Sequence, residues 1–392
     1  MGKFYTSFWN VNNLFDTLPS SLGSDIEFTP SRGWNNIVKN KKIENLAFTI
    51  DSLHNNEGPD LIGLCEVETE TMLSELVDKL SPEKEYAIAE YLNGPDVRGI
   101  DTCLLYSKKK FSLNSLRGYS INLRYPTRNI LVANFTLLEN KADITVIVNH
   151  WPSRSGGRYE TEPLRIAAAE SCARAVEDTL KIDQGELENF PVDLRNDENV
   201  LSHLNQKWNK NILLMGDFND NPYDKSILNH LHATPDANKL LNWDEIFEHP
   251  SLTKRWPTSK QTDKHNYLFY QGYLFNCMWP IMPDGTIYYN DGFDLFDQFI
   301  ISRGLLYGSQ KLKMNLDSIR INKSTKLDRA LPESSFDNKD RNKIHPSLRQ
   351  VPMRFEYQRI RPNGELEELS PGRTILTGYS DHFPIESTIE TL

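Results

Sequence analysis

The sequence predicts an α/β domain in which strands form the inner layers. Three observations support this. Short apolar runs recur at 4–9, 60–65, 86–91, 102–106, 130–137, 144–149, 211–216, 295–301 and 384–389, and most are bounded by Gly, Pro, Asn or Asp. Helical periodicity appears between some of them, at 39–53, 70–80 and 162–181. There is no low-complexity linker and no internal repeat to divide the chain.

The first run, Phe4-Tyr5-Thr6-Ser7-Phe8-Trp9, is aromatic and β-prone. The stretch 39–53 follows, with Ile43, Leu46, Ala47, Ile50 and Leu53 on one helical face. Ile144-Thr145-Val146-Ile147-Val148 and Ile212-Leu213-Leu214-Met215 lack alternation, as strands buried on both faces do. The clearest helix is 162–181, with Pro163 near its start and Leu164, Ala167, Ala168, Cys172, Ala175, Val176 and Leu180 along one side. The expected organisation is a single domain over residues 1–392, with surface insertions near 182–210, 222–290 and 308–350. The first of these is polar and acidic, the second rich in aromatics, and the third charged and Asn/Ser-rich.

Composition narrows the function classes. With 54 acidic and 44 basic residues the net charge is −10, which disfavours non-specific binding to a polyanion through bulk charge. A local basic groove remains compatible with that balance. Cys65, Cys103, Cys172 and Cys277 are far apart without CxxC spacing, so neither a zinc site nor a disulfide framework is expected. No apolar run approaches the roughly 18 residues of a membrane-spanning helix. No signal peptide is read at the start, which enters a strand almost at once, so the expectation is a soluble monomer, cytoplasmic or secreted after removal of a leader. Met1-Gly2-Lys3-Phe4-Tyr5-Thr6 formally fits a myristoylation pattern, a short motif that chance often produces.

Polar clusters cap several apolar runs. Asn10 and Asn12 follow the first strand with one residue between them, a spacing that puts both amides on one face of extended chain. A turn at Asn12-Asn13 is the competing reading. Glu66 ends Leu61–Cys65, where a carboxylate is costly unless solvated or paired, and a hard cation such as Mg²⁺ would meet that need. Glu68 is the second choice for that role. Asp217 and Asn219 follow Ile212–Gly216, an acceptor beside a neutral donor that could align a water. His150 ends another apolar run, and Arg154, Arg158 and Arg165 follow it, with a Gly156-Gly157 pair between the first two. Guanidinium forks suit phosphate oxygens, the alternative being ion pairs with Glu160, Glu162 and Glu170. Asp297 lies among Phe296, Phe299, Ile300 and Ile301 and needs a partner, which His382 or His150 could supply. Asp381-His382 precedes the last apolar run.

Taken in order, these clusters resemble the endonuclease/exonuclease/phosphatase superfamily. The matching stretches begin with Phe8–Phe15, Asp60–Glu66 and Arg98–Tyr106, and continue with Val148–Arg154, Gly216–Pro222, Phe296–Ser302 and Tyr379–Ile385. Each is weak alone, and their ordered set spans nearly the whole chain.

The resemblance implies a four-layered α/β/β/α sandwich with two central, mainly antiparallel sheets. It implies hydrolysis of a phosphoester bond with Mg²⁺ or Mn²⁺ at one site. On it, Glu66 is the principal metal ligand with Asn12 and Asp381 nearby, and Asp217 orients or deprotonates the attacking water. Asn10 and Asn219 bind the phosphate and the transition state. His382 lies over the scissile phosphate, paired with Asp297, and His150 is the second histidine of the deoxyribonuclease pattern. Asn12 stands where many relatives carry Asp, which puts a direct metal bond there in doubt. Arg154 and Arg158 are expected to bind substrate phosphate. The substrate reading is a nuclease acting on nucleic acid, the alternative a phosphatase or phosphodiesterase on a small molecule or lipid head group. A catalytically dead binding module on the same fold is the third reading.

Overall fold

The two most apolar runs lie side by side as parallel strands at the heart of one sheet. The computed structural model describes residues 2–19, 25–180, 206–240, 273–289, 292–328, 350–370 and 373–392. In chain order the strands are β1 (Lys3–Leu14), β2 (Leu61–Val67), β3 (Tyr86–Ile88), β4 (Asp101–Ser107), β5 (Phe111–Tyr119) and β6 (Ile130–Leu137). They continue with β7 (Asp143–His150), β8 (Ile212–Asp217), β9 (Ala233–Thr234), β10 (Leu274–Asn276), β11 (Ile287–Tyr289) and β12 (Gly292–Asp294). Then come β13 (Asp297–Ile301), β14 (Leu312–Ile321), β15 (Lys326–Asp328), β16 (Gln350–Pro352) and β17 (Ile385–Thr391). The three long helices among the described residues are α1 (Asn36–Asn56), α2 (Glu70–Val77) and α3 (Glu162–Leu180).

Six strands form one sheet in the order β14-β17-β1-β2-β4-β3, and seven form the other in the order β5-β6-β7-β8-β13-β10-β9. Most pairs are antiparallel, but β1 runs parallel to β2, β7 parallel to β8 and β9 parallel to β10. The sheets pack face to face through Phe4, Phe8, Leu61 and Leu104 on one side and Ala133, Val146, Met215 and Phe299 on the other. Gly63 marks a close approach: a Cβ there would lie 2.8 Å from the Met215 sulfur and 3.0 Å from the Phe8 ring. On the outer face of the first sheet, Ile43, Leu46, Ile50, Leu73 and Leu76 of α1 and α2 cover Trp9, Ile62 and Leu64. On the outer face of the second, Ala168, Cys172 and Ala175 of α3 cover Val132, Ile147 and Leu214. The layers are therefore helix, sheet, sheet, helix, as the resemblance implies.

Local sequence starts the helices where expected. Asn35 caps α1 through its side-chain oxygen, which accepts from the amides of Ile37 (3.0 Å) and Val38 (3.2 Å). Thr69 caps α2 by accepting from the Met72 amide at 3.2 Å. All four cysteines are free and buried. Among the described residues, no helix is long and apolar enough to cross a membrane.

Two long strands, and several short ones, escape sequence periodicity. β5 is an edge strand with most positions solvated, and its polar sequence hides it. β14 corrects the expectation of an insertion over 308–350, because residues 312–321 pair antiparallel with β17 and close the first sheet. An edge strand needs apolar residues only on its inner face, and here Leu312 and Met314 supply them. Likewise β10, inside the expected 222–290 insertion, pairs with β13 in the second sheet. The rest of these stretches is partly outside the described residues, as is nearly all of 182–210.

The end of α1 carries a buried polar knot. His54 Nε2 lies 2.9 Å from Ser7 Oγ, and the His54 amide donates to Glu386 Oε2 at 2.7 Å. Its ring stacks on Tyr5 at 4.6 Å between centroids. Burial drives the His54 pKa down to about 4, against the pull of Glu386, from an ordinary value of 6.5. Because the unfolded chain binds more protons between those values, stability is full above 6.5 and falls as pH drops towards about 4. The gap is worth on the order of 3 kcal/mol. Urea midpoints measured from about pH 7 to about pH 4.5 should fall for the native sequence and fall less for His54→Gln. Identical slopes in both proteins would refute this role.

Candidate active site

Strand direction gathers the polar clusters at one end of the two sheets. The parallel pairs β1–β2 and β7–β8 deliver Asn10, Glu66, His150 and Asp217 from their C-terminal ends. β13 and β17 run antiparallel to these, so Asp297 and the Asp381-His382 pair arrive at the same end from the start of a strand. His150 and Asp297 are both register partners of Asp217.

The spacing of two between polar residues arises from turns, not from the strand pleat. The Asn12 amide donates to Asn10 Oδ1 at 2.9 Å, and the Asn219 amide donates to Asp217 Oδ1 at 2.9 Å. Each short side chain bonds the backbone two residues on. Asn12, Asn13, Glu66 and Asn219 consequently have φ of 54°, 62°, 66° and 50°, in the left-handed region where asparagine is better tolerated than most residues. The same-face expectation is thus replaced by the turn reading at Asn12-Asn13.

Asp217 Oδ2 is the centre of the arrangement. Asn10 Nδ2 donates to it at 3.0 Å, and Nε2 atoms of His150 and His382 each lie 3.7 Å away. Asn10 Nδ2 also donates to Glu66 Oε1 at 3.2 Å, so its two hydrogens join the two carboxylates. Burial raises the Asp217 pKa to about 7, with the neighbouring Asp297 adding to the rise and His382 opposing it. The two imidazoles differ sharply. Burial pushes His150 well below its ordinary value, helped by Arg98 and His382, so it is neutral. Burial also works against charge on His382, but Asp297 and Asp217 outweigh it and hold the pKa well above the ordinary value. His382 Nδ1 sits 2.6 Å from Asp297 Oδ2, which selects His382 as the partner of Asp297 and fixes Nε2 towards Asp217. Behind them, Trp9 Nε1 donates to the His382 carbonyl at 2.9 Å.

The donor set suits a hard divalent cation. Glu66 is 14% exposed in its side chain, and its pKa is raised by burial and then by the Asp381 carboxylate. Glu66, with the Asp381 carboxylate near enough to disfavour its charge, offers oxygen ligands of the kind Mg²⁺ and Mn²⁺ take. Glu66 Oε2 also accepts from the Asn13 amide at 2.9 Å, leaving its orientation fixed. Asp217, Asp297 and His382 form another group whose ligand atoms all lie within 4.8 Å. There His382 Nδ1 is bound to Asp297 Oδ2, while His382 Nε2 faces Asp217 and Asp297 Oδ1 is buried with no hydrogen-bond partner among the described residues. Glu68 turns elsewhere, accepting from the Asp16 amide at 2.7 Å.

The arginines after His150 are committed to carboxylates more than fifty residues away. Arg154 bonds Asp220 (2.7 Å), Asp224 (2.6 Å) and the Asn219 carbonyl (2.7 Å), and its guanidinium stacks over Phe296 at 4.6 Å. Arg158 pairs with Asp224 at 2.6 Å, and Arg165 with Asp220 at 2.7 Å. The expected role is binding substrate phosphate and the alternative is ion pairs with Glu160, Glu162 and Glu170; the observed pairs are with Asp220 and Asp224, and Arg154 braces the turn that carries Asn219. The Asn219 amide nitrogen in turn donates to the Trp151 carbonyl at 2.9 Å.

Sequence reasoning missed three supporting residues. Ser380 Oγ donates to the Asn10 carbonyl at 2.6 Å and accepts from the His382 amide at 3.1 Å. Its position two residues before His382 was the available signal. Buried Arg128 donates to the carbonyls of His150 (3.2 Å) and Trp151 (2.9 Å) while pairing with Asp96 at 2.7 Å. Buried Lys42 donates to the carbonyls of Asn12 and Asn13. Burial and then the nearby Arg354 lower its pKa to about 7, against Asp381 and Glu66. Nothing in the local sequence of either basic residue marks it as internal.

Comparison with known proteins follows the same lines. The search of curated proteins finds no match. Among solved structures, the chain is 12% identical to a Bacteroides thetaiotaomicron mannosyl-6-phosphatase, covering 98% of this chain and 99% of that one with a TM-score of 0.48. It is 12% identical to the human Nocturnin catalytic domain with bound sulfate anion, over 100% and 95% of the two chains with a TM-score of 0.45. It is 13% identical to D. rerio TDP2 complexed with single strand DNA product, over 100% of both chains with a TM-score of 0.45. A family model described as "Endonuclease/Exonuclease/phosphatase family" matches residues 5–189, the segment that supplies Asn10, Glu66 and His150. The remaining motif residues, Asp217, Asp297 and His382, converge on those three from the second half of the chain. On that match, residues 5–189 are similar to the endonuclease/exonuclease/phosphatase family, and the ordered motif set continues beyond them.

Proposed function

We propose that this chain hydrolyses phosphoester bonds with a divalent cation, by in-line attack of water on phosphorus. The observation that carries the reading is the environment of Asp217: a carboxylate with a pKa raised to about 7, flanked by a neutral and a charged imidazole. A base poised near neutral pH holds and deprotonates the attacking water most effectively. His382 Nε2, kept protonated by Asp297, donates to a phosphoryl oxygen whose charge grows in the transition state, and the second hydrogen of Asn219 Nδ2 assists. Neutral His150 fixes the other side of Asp217. Asn10 aligns Asp217 with Glu66, because both hydrogens of its amide point at them. Glu66, with Asp381 and Asn12, would hold Mg²⁺ or Mn²⁺, whose charge when bound offsets that of the phosphate oxygens. Arg154 and Arg158, engaged by Asp220 and Asp224, support this site by bracing Asn219 rather than by offering free forks to phosphate.

The proposed substrate is a nucleic-acid phosphodiester. A small-molecule or lipid head-group phosphoester is the second reading, favoured by the net charge of −10. A panel with Mg²⁺ or Mn²⁺ decides between them: plasmid, abasic duplex, single strand, phosphoinositides, sphingomyelin and sugar phosphates, each at low and high salt. Cleavage of nucleic acid with binding that weakens steeply in salt supports the first, and turnover restricted to small phosphoesters supports the second. EDTA-insensitive hydrolysis would overturn the metal role, and failure to cleave even bis-p-nitrophenyl phosphate would leave the dead-module reading in its place.

A further inference from the structure

The Asn12-Asn13 turn holds the carboxylate that the proposed function assigns to the metal, and one side chain on another element holds that turn. Both asparagines are left-handed, at φ 54° and 62°, a conformation disfavoured for any residue with a Cβ. The turn makes two directed bonds into the site. Its Asn13 amide fixes Glu66 Oε2 at 2.9 Å, and its Asn12 amide fixes Asn10 Oδ1 at 2.9 Å, which aims Asn10 Nδ2 at Glu66 Oε1 and Asp217. On its opposite side, the carbonyls of Asn12 and Asn13 accept from Lys42 Nζ. Lys42 lies on α1, 2% exposed, with its ammonium 5.7 Å from the centre of the Phe355 ring. One helical turn on, Asn45 Nδ2 donates to the Gly378 carbonyl at 2.9 Å, three residues before Asp381. α1 thus tethers both segments that lead into the proposed metal site.

We propose that Lys42 is a positioning residue for metal binding, acting through the Asn12-Asn13 turn on Glu66. The inference rests on the assignment of the metal to Glu66. A donor shared by two consecutive carbonyls holds their peptide planes in one orientation, and the first of those planes carries the Asn13 amide that points at Glu66. Lys42 touches neither substrate nor metal in this role, and supports the ligand as partners of metal ligands do.

The test is Mn²⁺ binding measured by calorimetry on full-length Lys42→Met, Glu66→Gln and native protein, with circular dichroism as the check on folding. Lys42→Met keeps an unbranched side chain of similar length and removes the donors. Mn²⁺ affinity should weaken about tenfold or more, with the fold retained. A left-handed glycine needs no tether, so adding Asn13→Gly to Lys42→Met should restore part of the lost affinity, which a merely structural lysine would not predict. If Glu66→Gln loses Mn²⁺ while Lys42→Met binds it within about twofold of the native protein, the Lys42 inference fails and the metal assignment stands. If Glu66→Gln binds Mn²⁺ normally, the metal assignment fails and the inference with it. Should Lys42→Met not fold, Lys42→Gln is read in the same way, and loss of fold in both would overturn the inference by making Lys42 a requirement of the fold.

Discussion

Replacing Asp217 by Asn should lower turnover of bis-p-nitrophenyl phosphate about 10³-fold, equivalent to about 4 kcal/mol of barrier, with the melting temperature little changed. The substitution is isosteric, and the register of β8 between β7 and β13 does not depend on the carboxylate. What it removes is the acceptor that Asn10 Nδ2 approaches at 3.0 Å and that both imidazoles face at 3.7 Å. Relief of a buried negative charge could even raise stability, since burial is the main cause of the raised Asp217 pKa. Turnover within about threefold of native, in a variant with the native melting curve, would remove Asp217 from the reaction. The loss should appear in kcat more than in KM, because the lost interaction is made in the transition state.

The location of the site was legible because it obeys a simple physical rule. A polar residue at the end of an apolar run is costly unless something uses it, and here such residues cap β1, β2, β7, β8 and β13. Parallel and antiparallel directions then bring those ends together, which a single strand's sequence does not encode. The pleat argument for Asn10 and Asn12 gives way to a local turn. Their relation is a side chain bonding the backbone two residues on, repeated at Asp217 and Asn219.

What stayed hidden shares one cause. Edge strands β5 and β14 are read as polar because only one face of each meets the core. The partners of Arg154, Arg158 and Arg165 lie across the chain at Asp220 and Asp224, whereas the nearest acids in sequence are Glu160 and Glu162. Lys42 and Arg128 look like ordinary surface cations in sequence, yet both are buried against backbone carbonyls of the site. Long-range pairing decides each of these, and periodicity is a local signal.

The pairing of His382 with Asp297 leads to the second large effect, in which a pH profile separates an electrostatic role from a structural one. The carboxylate of Asp297 is fully buried and lies 2.6 Å from His382 Nδ1, and it is the first of the charges that hold the imidazolium against the cost of burial. In Asp297→Asn the burial remains and that charge is gone, so the His382 pKa should fall. A larger share of the rings would then be neutral at a given pH, and in those the donor aimed at the phosphoryl oxygen loses its charge assistance. We expect kcat to drop about 10²-fold at neutral pH. The sign of the pH dependence follows: acidification re-protonates the ring, so the deficit should shrink as pH falls, until protonation of Asp217 limits both proteins. The ratio of native to variant kcat measured from about pH 6 to about pH 8.5 should therefore rise with pH. A constant ratio would mean that Asp297 only orients the ring. His382→Gln should abolish the pH trend of that ratio, and the double variant Asp297→Asn/His382→Gln should be no slower than His382→Gln alone, because the two residues act as one unit.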